Sequence, residues 1–131
     1  MNSRQAIGEI GEAAAAEKYR QAGFKILSKN FFNHLGKRTG ELDFIAIKNK
    51  QIHFVEVKSR TGFSYGSALE GVSRGKLLKL LKIIRYFLAR NQIYSEYACH
   101  IDVVTVQIRE FDKSVQKITI YLDVIVDDYW S

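Results

Sequence analysis

The stretch that decides the fold is GELDFIAIKNKQIHFVEVKSR, residues 40–60. Two runs rich in Ile, Val and Phe, residues 41–48 and 51–60, flank Asn49-Lys50, which predicts two antiparallel strands joined by a tight turn. Apolar side chains fall on both faces of these strands. A sheet that is apolar on both faces must be covered on both faces. Residues 40–60 therefore predict the centre of an α/β domain with helices on either side.

The rest of the chain supplies those helices and the outer strands. Ser3 caps a predicted helix over residues 3–22, and Ser73 begins a second helix that ends near Arg90. Strands are predicted over residues 25–27, 97–108 and 116–126. No repeat or interdomain linker interrupts this order. The pattern predicts one domain over residues 1–131, with its core at about 3–108 and a C-terminal strand and tail at 115–131.

Composition restricts the class of protein. The chain has 131 residues, of which 47% are hydrophobic and 26% charged, values typical of a globular domain. No apolar run approaches the ~20 residues of a membrane helix, and the N-terminus lacks the apolar core of a signal peptide. A single cysteine, Cys99, excludes an internal disulfide. These features predict a cytoplasmic protein with no membrane partner.

The charge is unevenly distributed. The formal net charge is +6, and residues 74–90 contain six basic residues and no acidic one, a surplus equal to that of the whole chain. Such a stripe is typical of a surface that binds nucleic acid, although a solvated helix face has the same pattern. The residues predicted to contact phosphates are Arg60, Arg74, Lys76, Lys79 and Lys82.

Acidic residues cluster at one end of the predicted hairpin. If Lys48 faces Gln51, Asp43 lies opposite Glu56 and Glu41 lies opposite Lys58. Because residues two apart in a strand share a face, the four charged side chains are expected to project from one side of the sheet. A Glu41–Lys58 ion pair, with the other two acids solvated, is the alternative interpretation.

Two facing carboxylates favour a metal site. At about 5 Å they repel by roughly 3 kcal/mol at an effective dielectric near 20, which favours retention of one proton or binding of a divalent cation. Mg²⁺ takes oxygen ligands, so the predicted ligands are Asp43, Glu56 and the backbone carbonyl of Val57. Lys58 would then orient a nucleophile or offset charge on a phosphate.

These residues resemble the signature of a known group of nucleases. Asp43, a gap of a dozen residues and then Glu56-Val57-Lys58 resemble the PD-(D/E)XK motif, with Leu42 where the motif has proline. Residues 8–12, 40–46 and 54–60 are similar to the bacterial YraN-like uncharacterised family, UPF0102. This resemblance runs from about Ser3 to Val106 and is loosest after Ile108.

The resemblance implies a fold and a set of site residues. The fold would be a single restriction-endonuclease-like α/β domain, with a mixed central β-sheet flanked by helices on both faces. Asp43 and Glu56 would be metal ligands and Lys58 the catalytic lysine. Glu12 matches the helix glutamate that archaeal Holliday-junction resolvases place beside the metal. The resemblance to resolvases also allows a homodimer.

The predicted function combines these observations. It is hydrolysis of phosphodiester bonds in nucleic acid, with branched or structured DNA as the first candidate and Mg²⁺ or Mn²⁺ as the cofactor. The predicted catalytic residues are Asp43, Glu56, Lys58 and Glu12. One alternative is a noncatalytic nucleic-acid-binding module on the same fold, and another is a scaffold for a protein partner. His53 is predicted to be structural, and the spacing assigns no role to Asp102.

Overall fold

A computed structural model describes residues 3–32, 41–61 and 74–122. These described residues form two α-helices and five strands. In order they are α1 (Ser3–Gln21), β1 (Lys25–Phe32), β2 (Glu41–Lys48), β3 (Gln51–Thr61), α2 (Arg74–Arg90), a 3₁₀ turn (Gln92–Tyr94), β4 (Ala98–Ile108) and β5 (Val115–Tyr121). This order agrees with the predicted α/β class.

The five strands form one mixed sheet in the order β1-β2-β3-β4-β5. β3 and β4 are parallel, and the other neighbouring strands are antiparallel. A parallel pair needs a crossover connection, and α2 lies in the connection between β3 and β4. The predicted mixed sheet is confirmed.

The central hairpin has the predicted register. Lys48 pairs with Gln51 and Phe44 pairs with Val55. Asn49 and Lys50 have φ angles of +49° and +60°, the left-handed pair that a two-residue type I′ hairpin turn requires. The paired residues of β2 and β3 end one step before Asp43. Asp43 of β2 and Glu56 of β3 therefore lie just beyond the last pair of residues that the two strands share.

The helices cover opposite faces of the sheet. On one face, α2 contributes Leu80, Leu81, Ile83, Ile84 and Phe87, which pack with Leu42, Ile45, Ile52, Phe54 and Ile101. On the other, α1 contributes Ile7, Ala15, Ala16 and Tyr19, which pack with Phe44, Ala46, Val55, Val104, Val106 and Ile108. The prediction of helices on both faces is confirmed. In the described ranges, neither helix is long and apolar enough to cross a membrane.

The outer strands differ from the predicted ones. β1 extends to Phe32 rather than ending at residue 27, and its pairing with β2 shifts register between Ile26 and Ser28. A bulge of this kind interrupts the regular alternation of side chains, so the sequence pattern does not predict the second half of β1. β5 covers Val115–Tyr121, and residues 123–126 of the predicted last strand lie outside the described residues.

Glycine lets α1 approach the sheet closely. A Cβ added at Gly11 would collide with the Ser59 side chain of β3, whereas one added at Gly8 would meet nothing within 4 Å. Gly11→Ala is therefore expected to lower the free energy of unfolding by about 1–3 kcal/mol through overpacking. Gly8→Ala, the matched control, should raise it by about 0.5–1 kcal/mol, since alanine is the better helix former.

Urea denaturation of the two variants and the wild type measures this difference. Equal stability of Gly11→Ala and Gly8→Ala would show that α1 does not need the close contact at Gly11.

Candidate metal and nucleic-acid site

The site lies where the side chains of β2 stop alternating regularly between the two faces of the sheet. Leu42 packs in the core beneath α2, whereas Phe44 packs in the core beneath α1. In a regular strand these two residues would share a face. Between them, a carboxylate oxygen of Asp43 accepts a hydrogen bond from the backbone N–H of Val57, at 2.6 Å. The Asp43 carboxyl group therefore lies between β2 and β3, not on the face that the sequence predicts.

Asp43 interacts with two other carboxyl groups at this position. The pKa of Asp43 is raised to about 8, chiefly by burial and next by the nearby Glu56 carboxylate. The hydrogen bond from Val57 acts in the opposite direction, and a hydrogen bond with Glu12 again favours the protonated form. Asp43 of β2 thus interacts with each of the other two predicted acids, Glu12 from α1 and Glu56 from β3.

Lys58 lies beside the acidic cluster. Its Nζ atom is 3.6 Å from Oε1 of Glu56, whose residue is only 7% exposed. Side chains two residues apart in a strand share a face, and Glu56 and Lys58 are two and four residues after Phe54. Both therefore lie on the face of Phe54, which α2 covers. The side chain of Glu41 lies outside the described residues, and the predicted Glu41–Lys58 pairing stays a prediction.

An open cleft lies on the α1 side of Asp43. It has a volume of about 220 Å³ and is lined by polar groups of Glu9, Glu12, Lys29 and Asp43. Sequence reasoning did not select Lys29, because the predicted β1 ended before it. In the structure Lys29 pairs with Phe44, which places its positive charge one strand away from the acids.

The donor set is suitable for a hard divalent cation. Within residues 3–32, 41–61 and 74–122, no three His, Cys, Asp or Glu side chains form a ready-made metal cage. Mg²⁺ does not need one, since it is commonly bound by one or two carboxylates together with water and substrate phosphates. Asp43 and Glu56 supply two carboxyl groups, and a cation between them would relieve the repulsion that raises the Asp43 pKa.

The backbone of Val57 is also directed towards this position. Its N–H donates to Asp43, and the N–H and C=O of one strand residue point towards the same neighbouring strand. The predicted carbonyl ligand therefore lies on the Asp43 side of β3.

The predicted phosphate-binding residues lie on two elements. Lys79 and Lys82 are both exposed on α2. Arg60 is half-buried near the end of β3, two residues beyond Lys58. The side chains of Arg74 and Lys76 lie outside the described residues.

Asp102 has a structural role that the sequence spacing did not reveal. This fully buried residue accepts a hydrogen bond from the Tyr19 hydroxyl at 2.6 Å, and Nδ1 of His53 is 2.7 Å from the same oxygen. Burial and the Asp102 charge raise the pKa of Tyr19 above its usual value. His53 also stacks on His100, with ring centroids 4.3 Å apart. The network ties α1 to β3 and β4. It is consistent with the predicted structural role of His53, which stays a prediction.

Fold and site together define a three-layered α/β domain, with one helix on each face of the sheet and a buried carboxyl cluster at the point where β2 and β3 separate. Comparison with known proteins then places the chain. The model of "Uncharacterised protein family UPF0102" matches residues 11–106, and the chain belongs to this family.

Relatives in three bacteria match most of the chain. The UPF0102 protein of Caldanaerobacter subterraneus subsp. tengcongensis is 33% identical over 116 residues, which cover 88% of this chain and 91% of the relative. The relative in Caldicellulosiruptor bescii is 36% identical, with 94% and 98% covered. The relative in Fusobacterium nucleatum is also 36% identical, with 80% and 83% covered.

Proposed function

We propose that the protein hydrolyses phosphodiester bonds in nucleic acid, as a Mg²⁺- or Mn²⁺-dependent endonuclease. The observation that carries this proposal is the convergence of Glu12, Asp43 and Glu56 next to Lys58. Buried carboxyl groups that would repel one another when ionised destabilise a fold, and they are typical of sites that bind a cation or transfer protons. Nucleic acid, with DNA as the first candidate, is the substrate that the net charge of +6 favours.

Each residue has a role that follows from its position. Asp43 and Glu56 would hold the cation, with the Val57 carbonyl as a further ligand and Glu12 in support through its hydrogen bond to Asp43. When bound, Mg²⁺ or Mn²⁺ supplies Lewis-acid stabilisation of negative charge on the scissile phosphate. Lys58, which lies 3.6 Å from Glu56, would offset negative charge that develops on the phosphate or orient the attacking water.

Lys79 and Lys82 are exposed and would attract the phosphate backbone towards the site. The cytoplasmic location and the homodimer stay predictions, as does the preference for branched DNA.

Glu56→Gln tests the proposed activity. The amide retains the size of the side chain but removes the charge that would bind the cation, so Mn²⁺-dependent cleavage should fall by at least about 100-fold. Wild-type protein, Glu56→Gln and the control Glu17→Gln are purified in parallel and assayed on branched, duplex and single-stranded substrates, with Mn²⁺ or with EDTA. Glu17 is exposed on α1 and lies 3.6 Å from Arg20, so its variant should cleave like the wild type.

Equal cleavage by wild type and Glu56→Gln would indicate a contaminating nuclease and contradict the proposal. The noncatalytic alternative predicts a different result, namely binding of the same substrates that neither EDTA nor Glu56→Gln changes.

A further inference from the structure

A second polar surface lies on the sheet beyond the acidic cluster. Strand alternation puts Glu56, Lys58 and Arg60 on the α2 side of β3, since Val55 and Val57 pack on the α1 side. On β4, Val104, Val106 and Ile108 pack on the α1 side, so Thr105 and Gln107 face the same way as Lys58. On β5, Ile118 and Ile120 pack towards α1, which leaves Lys117 and Thr119 on the α2 side.

Strand register aligns these side chains in two rows across the sheet. Lys58 pairs with Thr105, which pairs with Thr119. Arg60 pairs with Gln107, which pairs with Lys117. Neighbouring strands are about 4.8 Å apart, so each row spans about 10 Å. Measured along the axis of a duplex, that length corresponds to about three nucleotides of one strand at ~3.4 Å each.

The two rows surround a shallow cavity. Its volume is about 170 Å³, and its lining contains two cations, Arg60 and Lys117, together with hydroxyl and amide groups. None of the described residues that line it carries a carboxyl group. Guanidinium, ammonium, hydroxyl and amide donors are the groups that proteins use to bind phosphate oxygens.

We propose that this surface, formed by Arg60, Thr105, Gln107, Lys117 and Thr119, binds the phosphodiester backbone on one side of the scissile phosphate. The inference rests on the proposed function, because Lys58 begins the first row and also borders the acidic cluster. A strand that leaves the cluster past Lys58 crosses β4 and then β5. The recognised chemistry is the phosphate backbone, so binding is independent of base sequence and depends on salt.

Lys117→Glu tests the proposal apart from catalysis. Lys117 is exposed, so its variant should fold. Affinity is measured by fluorescence anisotropy in EDTA, where a metal-dependent nuclease cannot cleave, with a fluorescein-labelled duplex DNA, its single strand and the matching RNA. The control is Lys18→Glu, the same charge change at an exposed position of α1. At about 100 mM salt, Lys117→Glu should bind about tenfold more weakly than Lys18→Glu, and its salt slope should fall by about 1.

Thr119→Lys provides the opposite test. An added cation at the β5 end of the first row should tighten binding and steepen the salt slope by about 1. The DNA and RNA arms distinguish which nucleic acid is bound more tightly, and backbone recognition predicts a similar loss for both in Lys117→Glu.

The failure of this inference differs from the failure of the proposed function. If Lys117→Glu and Lys18→Glu bind nucleic acid equally and Glu56→Gln is inactive, the proposed binding surface is wrong, whereas the proposed nuclease activity is supported. Weaker binding by Lys117→Glu, without Mn²⁺-dependent cleavage by the wild type, would support the surface on a noncatalytic module. Absence of any binding by the wild type would overturn the inference.

Discussion

Lys58→Met is expected to reduce cleavage by at least about 100-fold while leaving Mn²⁺ affinity equal to or tighter than that of the wild type. The physical reason is the position of the ammonium group, 3.6 Å from Glu56 in a site that is mostly shielded from water. Removal of this charge removes the group that stabilises negative charge on the phosphate. It also removes a cation that repels a metal ion and competes for the Glu56 carboxylate.

The comparison with Glu56→Gln makes this prediction specific. Loss of the carboxylate should weaken Mn²⁺ binding, whereas loss of the lysine should not, although both variants lose activity. Mn²⁺ binding is measured by isothermal titration calorimetry, and cleavage is measured under single-turnover conditions. Lys18→Met, at an exposed position of α1, is the matched control for the lysine substitution.

Two results would contradict the assigned role of Lys58. Cleavage by Lys58→Met at half the wild-type rate would show that the ammonium group does not act on the phosphate. Loss of Mn²⁺ binding in a variant that unfolds at the wild-type temperature would show that Lys58 maintains the metal site instead.

The central sheet could be predicted because its signals are local. Residues 41–48 and 51–60 alternate around a short turn, and the resulting register holds from Lys48–Gln51 to Phe44–Val55. The two apolar faces also required two covering layers, which α1 and α2 provide. Identification of Glu12 depended on family resemblance, since its contact with Asp43 joins residues far apart in the chain.

The position of the Asp43 carboxyl group could not be predicted from alternation. Regular alternation would place Asp43 on the same face of the sheet as Ile45. Leu42 and Phe44 pack in different cores, however, so the alternation of side chains along β2 is broken at Asp43. Such a change depends on how the two helices pack against the sheet, which no local pattern records. The consequence is a carboxyl group between two strands, where it accepts a backbone hydrogen bond.

The sequence around Asp102 already indicates that this residue is buried. It is a charged residue within the apolar run Ile101–Val104 of a predicted strand. A buried carboxylate needs hydrogen-bond donors, so the pattern already required partners from other elements. Their identity could not be deduced, because Tyr19 and His53 are 83 and 49 residues away in the chain.

The unusual pKa of Asp43 should make the stability of the metal-free protein depend on pH. The folded-state pKa is about 8, against 3.8 for an unperturbed aspartate. Below 3.8 the group is protonated in both states. Between the two values the unfolded chain binds fewer protons than the folded protein, so the free energy of unfolding falls as pH rises. Asp43 therefore stabilises the fold at low pH, and this contribution is lost as pH rises through about 8.

Asp43→Asn should remove this dependence. The asparagine oxygen can still accept the Val57 N–H bond, and its amide can donate to Glu12, but no charge develops at high pH. In EDTA, the variant should gain stability relative to the wild type between pH 5 and pH 8, by about 2 kcal/mol or more. Groups that titrate in this range and do not interact with Asp43 are common to both proteins and cancel in the difference. Urea denaturation at several pH values measures it.

Asp112→Asn is the matched control for Asp43→Asn. Asp112 is exposed, and hydrogen bonds from Ser114 lower its pKa, so it is ionised in both states above pH 5. Its difference from the wild type should stay constant between pH 5 and pH 8. Addition of Mn²⁺ should stabilise the wild type and Asp112→Asn at pH 8, and Asp43→Asn much less, because a cation favours the ionised carboxyl group. Parallel pH profiles for the wild type and Asp43→Asn would contradict the buried, proton-retaining carboxyl group on which the metal site depends.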